Sequence, residues 1–250
     1  METVLKRTKY LFNSLLFIFK PDLIFDIGSL DGTDGIRIKN LLPDSTVVSF
    51  EANSLNFKKM QDNPVFHDRN ILIINKAVSD FDGELDFYEE EKFIKKDGKD
   101  NRHGGVSSTR VRIDNISKGH KRVRVQAIRA DSFVLDLPNL PKRIALWIDV
   151  EGGAYEVLNG LHKVKDLVSF IHVEVETEQV WKNQKTKNEI LLLLEREGFV
   201  NIARSRKLLQ HDIVLVNKKH FLNKKILILI AKSLCKYLGP LSYRFLRIFL

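Results

Sequence analysis

The stretch Ile24-Phe25-Asp26-Ile27-Gly28-Ser29-Leu30-Asp31-Gly32 decides how this chain folds. It reads as a buried strand, a tight glycine turn and a helix start. The next apolar run, Val47-Val48-Ser49-Phe50, leads straight into a carboxylate, Glu51. Two such units side by side build a crevice at the carboxyl ends of neighbouring parallel strands, where nucleosides bind. The glycines let the backbone approach a ligand that a Cβ would push away. The helix that follows offers free backbone N–H groups. Glu51 can accept hydrogen bonds from both hydroxyls of a ribose.

Glycine spacing separates two kinds of nucleotide. A dinucleotide calls for G-x-G-x-x-G and its tight pyrophosphate turn. Here the glycines are Gly28, Gly32 and Gly35, and Leu30 fills the slot two before Gly32. D-x-G-x-x-x-G with an acid after the next strand suits S-adenosylmethionine, which has no phosphate to cradle. The plain alternative is an ordinary strand–helix turn whose glycines serve packing.

The rest of the chain continues the alternation. Residues 1–19 read as a helix with a broad apolar face. Strands are expected at 22–27, 46–50 and 70–78, with helices at 33–42, stopped by Pro43, and from Asn53 to about Asn63. Asp82-Gly83 marks a turn before an alternating edge strand, 84–88. Residues 89–120 are a long polar loop containing Ser107 and Ser108, the length and composition of a lid or binding loop. A strand around Val123 to Ala127 and a short helix from Asp131 to Leu135 follow. Ile144 to Ile148 is uninterruptedly apolar, as in the middle of a parallel sheet. A helix is expected from Ala154 to about Val164, a strand at 167–175 and an amphipathic helix at 186–196. Residues 199–204 and 212–216 close the chain as an antiparallel pair. The fold class is α/β: a doubly wound, Rossmann-like sheet with right-handed crossovers, mostly parallel, ending in that pair.

Charge divides the chain into three parts: 1–20, a basic and apolar helix; 21–217, the α/β body; and 218–250, a basic amphipathic tail. The net charge is +9, yet after Asp212 there are eight basic residues and no acid. Residues 1–20 carry Lys6, Arg7, Lys9 and Lys20 against Glu2, which leaves the body near neutral. A nucleic-acid enzyme would place its basic patch near the crevice, so no nucleic-acid partner is expected. A basic end rich in Leu, Ile and Phe suits a membrane surface or a docking partner, including a second copy of the chain. Its longest clean apolar stretch, Ile226 to Ala231, is too short to span a bilayer. The single cysteine, Cys235, excludes an internal disulfide framework and fits a reducing, cytoplasmic compartment.

Several pieces in order resemble the FkbM-type S-adenosylmethionine-dependent methyltransferases. They are Asp26-Ile27-Gly28-x-x-x-Gly32, Ser49-Phe50-Glu51-Ala52, Asn75-Lys76-Ala77-Val78-Ser79 with Gly83, and Gly105-Val106-Ser107-Ser108. To these add Ala130-Asp131-Ser132, Trp147 to Gly152 leading to Glu156-Val157-Leu158-x-Gly160, and Val173-Glu174. The resemblance covers about residues 22–216. It implies a class I methyltransferase fold and methyl transfer to oxygen on sugars and natural products. Asp26 and the backbone around Gly28, with Ser29 and Gly32, would hold the methionine part. Glu51 and Ala52 would meet the ribose, and Ala77, Val78 and Asp80 the adenine. The chain departs from the family where Leu30 stands, because members usually have Asn there.

Methyl transfer to an alcohol needs alignment and a base. Asp149 and Glu151 end the central strand at the crevice mouth, on one side of an extended chain. His172 and Glu174 repeat that relation on the next strand. These four are the candidate catalytic residues, and Ser107, Ser108 and Trp181 the candidate acceptor contacts. The plain readings are turn-ordering for Asp149, helix-capping for Glu151 and core packing for His172 and Trp181. Asp149-x-Glu151 is also the pattern of a nucleotide-sugar glycosyltransferase with Mg²⁺ or Mn²⁺, although the glycine loop and Glu51 need no metal. A degenerate cofactor-binding module docked at a membrane is the non-enzyme alternative.

Overall fold

The computed structural model describes residues 2–90, 106–113, 120–205 and 209–221. Residues 222–250, the bulk of the basic tail, and Gly105 lie outside them.

A seven-stranded sheet carries the molecule. Its strands are β1 (Leu23–Ile27), β2 (Thr46–Phe50), β3 (Ile71–Ile74), β7 (Ile144–Ile148), β8 (Val168–Glu176), β9 (Phe199–Arg204) and β10 (Gln210–Asn217). They lie in the order β3-β2-β1-β7-β8-β10-β9. All neighbours are parallel up to β8, and β10 then runs antiparallel to both β8 and β9. This is the doubly wound sheet with a terminal antiparallel pair expected from the sequence. The order reverses beside β1, so β1 and β7 leave a crevice at their carboxyl ends.

The strands that form the middle are those without polar alternation. Every residue of β1 and β7 is buried. The helices α2 (Thr33–Leu41), α3 (Ser54–Gln61), α4 (Pro64–Asp68), α5 (Ala130–Leu135), α6 (Ala154–Asn159) and α7 (Lys187–Arg196) fill the connections. Local chemistry sets their starts. The Asn53 side chain accepts from the N–H groups of Leu55 and Asn56, Pro64 follows the Asn63 cap, and Thr186 with Glu189 makes a capping box.

Helix α1 (Glu2–Phe19) is built into the body. Its Leu11, Phe12, Leu15, Leu16 and Phe19 are buried in a core cluster shared with β8 and β10. Each such side chain contributes roughly 1.5–3 kcal/mol. No helix among the described residues is long and apolar enough to cross a membrane.

Two expectations change. The strand foreseen at 70–78 is two strands: β3 ends at Ile74, and β4 (Ala77–Ser79) joins a separate sheet. Asn75 makes the break, its Nδ2 donating to the carbonyls of Glu51 and Ala52. The second sheet has the order β4-β6-β5, with β5 (Gly83–Glu90) as an edge and β6 (His120–Arg129) central. The helix from Ala154 ends at Asn159, not Val164. There Gly160 meets the Ser79 carbonyl, which a Cβ would approach to 2.2 Å.

Candidate active site

The glycine turn after β1 is shaped by what it touches. Gly28 has φ +82°, and a Cβ there would lie 2.1 Å from the Asp149 carbonyl oxygen. Only glycine lets the turn pass that close to the end of β7. The N–H groups of Gly28 and Ser29 both donate to the Phe50 carbonyl, at 3.0 and 3.1 Å. Leu30 has φ +57°, the left-handed region, and its N–H donates to Glu51 Oε2 at 2.7 Å. Asn is well tolerated in that conformation and Leu poorly.

Glu51 is buried, and Asn53 N–H donates to its other oxygen at 2.8 Å. Burial pushes its pKa up to about 7, while the two backbone donors pull it back. Asp26 lies beneath the turn. Ser29 Oγ and Ser49 Oγ donate to its Oδ2 at 2.8 and 2.9 Å, and burial raises its pKa to about 6. Asp26, Ser29 and Gly32 do not line the cleft, so they shape the turn from below.

The cleft spans about 610 Å³ of space, open solvent at its mouth included. One wall is Ile27, Gly28, Leu30, Phe50, Glu51 and Ala52. Ala77, Val78 and Phe87 add an apolar side from the small sheet, and Lys76 stands just before β4. Ser107, Ser108 and Thr109 form the lid side, and Asp149, Val150, Glu151 and Gly153 the far end. Asp80 stands outside this lining. It accepts from Asn159 Nδ2 at 3.2 Å, and its carbonyl accepts from Arg129.

Residues 106–113 are latched to the body at several points. Ser108 pairs with Tyr88 through both backbone groups, and its Oγ donates to the Glu151 carbonyl at 2.6 Å. Arg110 pairs with Glu156 and donates to the carbonyls of Lys182 and Asn183. The Arg112 guanidinium lies 5.5 Å from the Trp181 ring centroid.

The far end is acidic. Asp149 is exposed at the carboxyl end of β7. Glu151 has a pKa pushed up to about 7 by burial and by the like charges of Glu176 and Asp149; Arg112 and the Trp181 indole counter this in part. Glu176 is buried and pairs with Gln184 Nε2, and burial raises its pKa to about 7 too. The sequence reading missed Glu176, although it continues the His172, Glu174 alternation by one more step. Among the described residues no group of three or more His, Cys, Asp or Glu is arranged to hold a metal ion.

Three candidates are corrected. His172 is not at the cleft. Its ring stacks on Trp147, with centroids 3.7 Å apart, beneath Phe12 of α1. Burial there drives its pKa down to about 3, so it is a neutral core residue. Glu174 accepts from Gln210 Nε2 at 2.6 Å and also lies away from the cleft. His172 lies with Phe170 on the face of β8 that packs on α1, and Glu174 pairs with the neighbouring strand β10. Trp181 is fully buried behind Glu151, packed where a Cβ on Gly152 would come within 2.5 Å of its ring. It is a supporting wall, not an exposed stacking face.

A reversed-order parallel sheet, a glycine turn after β1 and an acid after β2 define a class I methyltransferase fold. The chain belongs to the S-adenosylmethionine-dependent FkbM methyltransferases, whose domain model (Methyltransferase FkbM domain) matches residues 26–200. It is a methyltransferase. It is 27% identical over 207 residues to the 2-O-methyltransferase NoeI of Sinorhizobium fredii, covering 80% of this chain and 82% of that one. It is 27% identical over 189 residues to Methyltransferase 1 of Beauveria bassiana, covering 72% and 73%. The N-terminal domain of EvdMO1, solved with SAH and D-fucose, superposes with a TM-score of 0.45 at 11% identity, covering 87% of this chain and 83% of that one.

Proposed function

We propose that this protein transfers the methyl group of S-adenosylmethionine to a sugar hydroxyl on a glycan, glycolipid or related natural product. The observation that carries this reading is one cleft with two chemically different ends. The hydrogen-bonded Glu51 stands at one end, Asp149 and Glu151 at the other, and the Gly28 turn lies between them against the Asp149 carbonyl. The name of the NoeI relative, a 2-O-methyltransferase, supports oxygen as the acceptor atom.

The residues fit the cofactor. The Gly28 turn lines the cleft with bare backbone, Glu51 has lone pairs left for a ribose diol, and Phe50, Ala77, Val78 and Phe87 offer an apolar slot. S-adenosylmethionine supplies a methyl already activated on a sulfonium, so the protein's task is alignment. A hydroxyl acceptor would have to give up its proton on methylation. Asp149 takes that proton. Glu151, with its pKa about 7, both donates to and accepts from the sugar. Ser107 and Thr109 orient the acceptor from the lid side.

The acid-free run after Asp212, with its eight basic residues, supports action at the cytoplasmic face of a membrane. The metal-dependent glycosyltransferase alternative has no comparable support.

The test is incubation with methyl-tritiated S-adenosylmethionine and a panel of methyl glycosides and oligosaccharides, with NMR to locate the product. An O-methyl sugar is expected. Label found only on nitrogen, protein or RNA, or Mn²⁺-dependent consumption of a UDP-sugar without methyl transfer, overturns the reading.

A further inference from the structure

We propose that the outer face of α1 is a docking surface for an anionic lipid bilayer. The inference rests on the membrane reading above and deepens it: the tail supplies attraction, and α1 decides which side of the body lies on the lipid. One side of α1 is buried against the sheet through Leu11, Phe12, Leu15, Leu16 and Phe19. The other side turns Arg7, Tyr10, Phe17 and Lys20 outward. Tyr10 is 45% exposed and Phe17 53%, two turns apart on one stripe. Between Glu2 and Asp22 the sequence has no acid. Exposed aromatic rings flanked by cations are the composition of a helix lying in the headgroup layer. The rings enter the acyl boundary and the cations meet lipid phosphates.

The exit of the chain from the body points to the same occupant. The 3-10 turn Lys218–Phe221 follows β10, and the His220 ring lies 6.5 Å from that of Phe19, the last residue of α1. The tail therefore starts beside the C-terminal end of α1, and residues 222–250 carry six basic and no acidic residues. The middle of α1 lies against the start of α2. Lys9 Nζ pairs at 2.6 Å with Asp34, in the first turn of α2, directly after the glycine turn. A bilayer lying along α1 thus runs beside the helix that leaves the glycine turn.

The test is co-sedimentation of the full chain with phosphatidylcholine vesicles, with and without phosphatidylserine. Wild type should bind only the anionic vesicles. Tyr10→Ser with Phe17→Ser should weaken that binding about ten-fold or more, since two rings lose their burial in lipid, and should leave S-adenosylmethionine affinity unchanged. Lys224, Lys225, Lys232 and Lys236, all changed to Ser, give the tail arm. If this tail variant loses binding while the α1 variant binds like wild type, α1 is not the docking face and the tail reading stands alone. If wild type ignores phosphatidylserine vesicles, both readings fall. Phe17→Trp guards against a folding defect: brominated lipid in the vesicles should quench its fluorescence, and an unquenched signal overturns the proposal.

Discussion

At the β1–β2 end of the cleft, Glu51 is buried but held by backbone, with Leu30 and Asn53 N–H groups donating to its two oxygens. At the β7–β8 end, Glu151 is half-buried beside two other carboxylates, Glu176 and Asp149. Both pKa values rise to about 7, with burial the largest cause of each. Glu51 has one like-charged neighbour, Asp26, and is restrained chiefly by donors fixed in the main chain, so its geometry is set before a ligand arrives. Glu151 is lifted by like charge as well, so its affinity for a proton depends on its neighbours. On the function proposed above, one end holds the cofactor and the other handles a proton.

The sharpest way to break this contrast is Asp149→Asn. Methyl transfer should fall about 100-fold or more, the usual worth of a positioned base, while S-adenosylmethionine affinity stays within a few-fold by calorimetry. Equal losses in both would move Asp149 to the cofactor end. Glu51→Ala should do the reverse. It should weaken S-adenosylmethionine binding by about 1.5–3 kcal/mol, the range for a charge-assisted hydrogen bond; unchanged affinity in a folded variant would dissolve the distinction between the ends.

A smaller effect concerns pH. Glu151 and Glu176 keep their protons in the folded state to about pH 7, whereas in the unfolded chain they lose them near 4.5. The folded state therefore binds more protons between those values, and stability falls as pH rises through that window. Glu176→Gln should stabilise the protein more at about pH 8 than at about pH 5. It should also move the acid limb of the turnover profile to lower pH, because Glu151 loses a like-charged neighbour. A profile that does not move would show that Glu176 does not act on Glu151.

The smallest expected change is Leu30→Asn. Leu30 sits at φ +57°, a conformation costing a non-glycine residue about 1–2 kcal/mol and Asn less. Thermal unfolding should show a gain of up to about 1 kcal/mol with cofactor affinity retained. A loss would mean that the Leu30 side chain, which lines the cleft, contributes more through contact than its backbone costs.

The Glu51 end of the cleft was legible in the sequence because its parts are local. A glycine turn, a strand and an acid within residues 24–51 specify their own geometry, and the alternation of strands and helices specifies the sheet. The Glu151 end was legible only in part. Asp149 and Glu151 stand out after an apolar strand, but which other groups join them depends on which way each side chain turns. Tertiary structure put His172 under α1 against Trp147, left Glu174 with Gln210, and brought Glu176 to Glu151 instead. It also split residues 70–78 between two sheets and brought Ser108 to the Glu151 carbonyl across a long stretch of chain. Periodicity fixes that a strand has two faces. Both faces of β8 are core, and only the packing of α1 on one of them decides that His172 is a core residue.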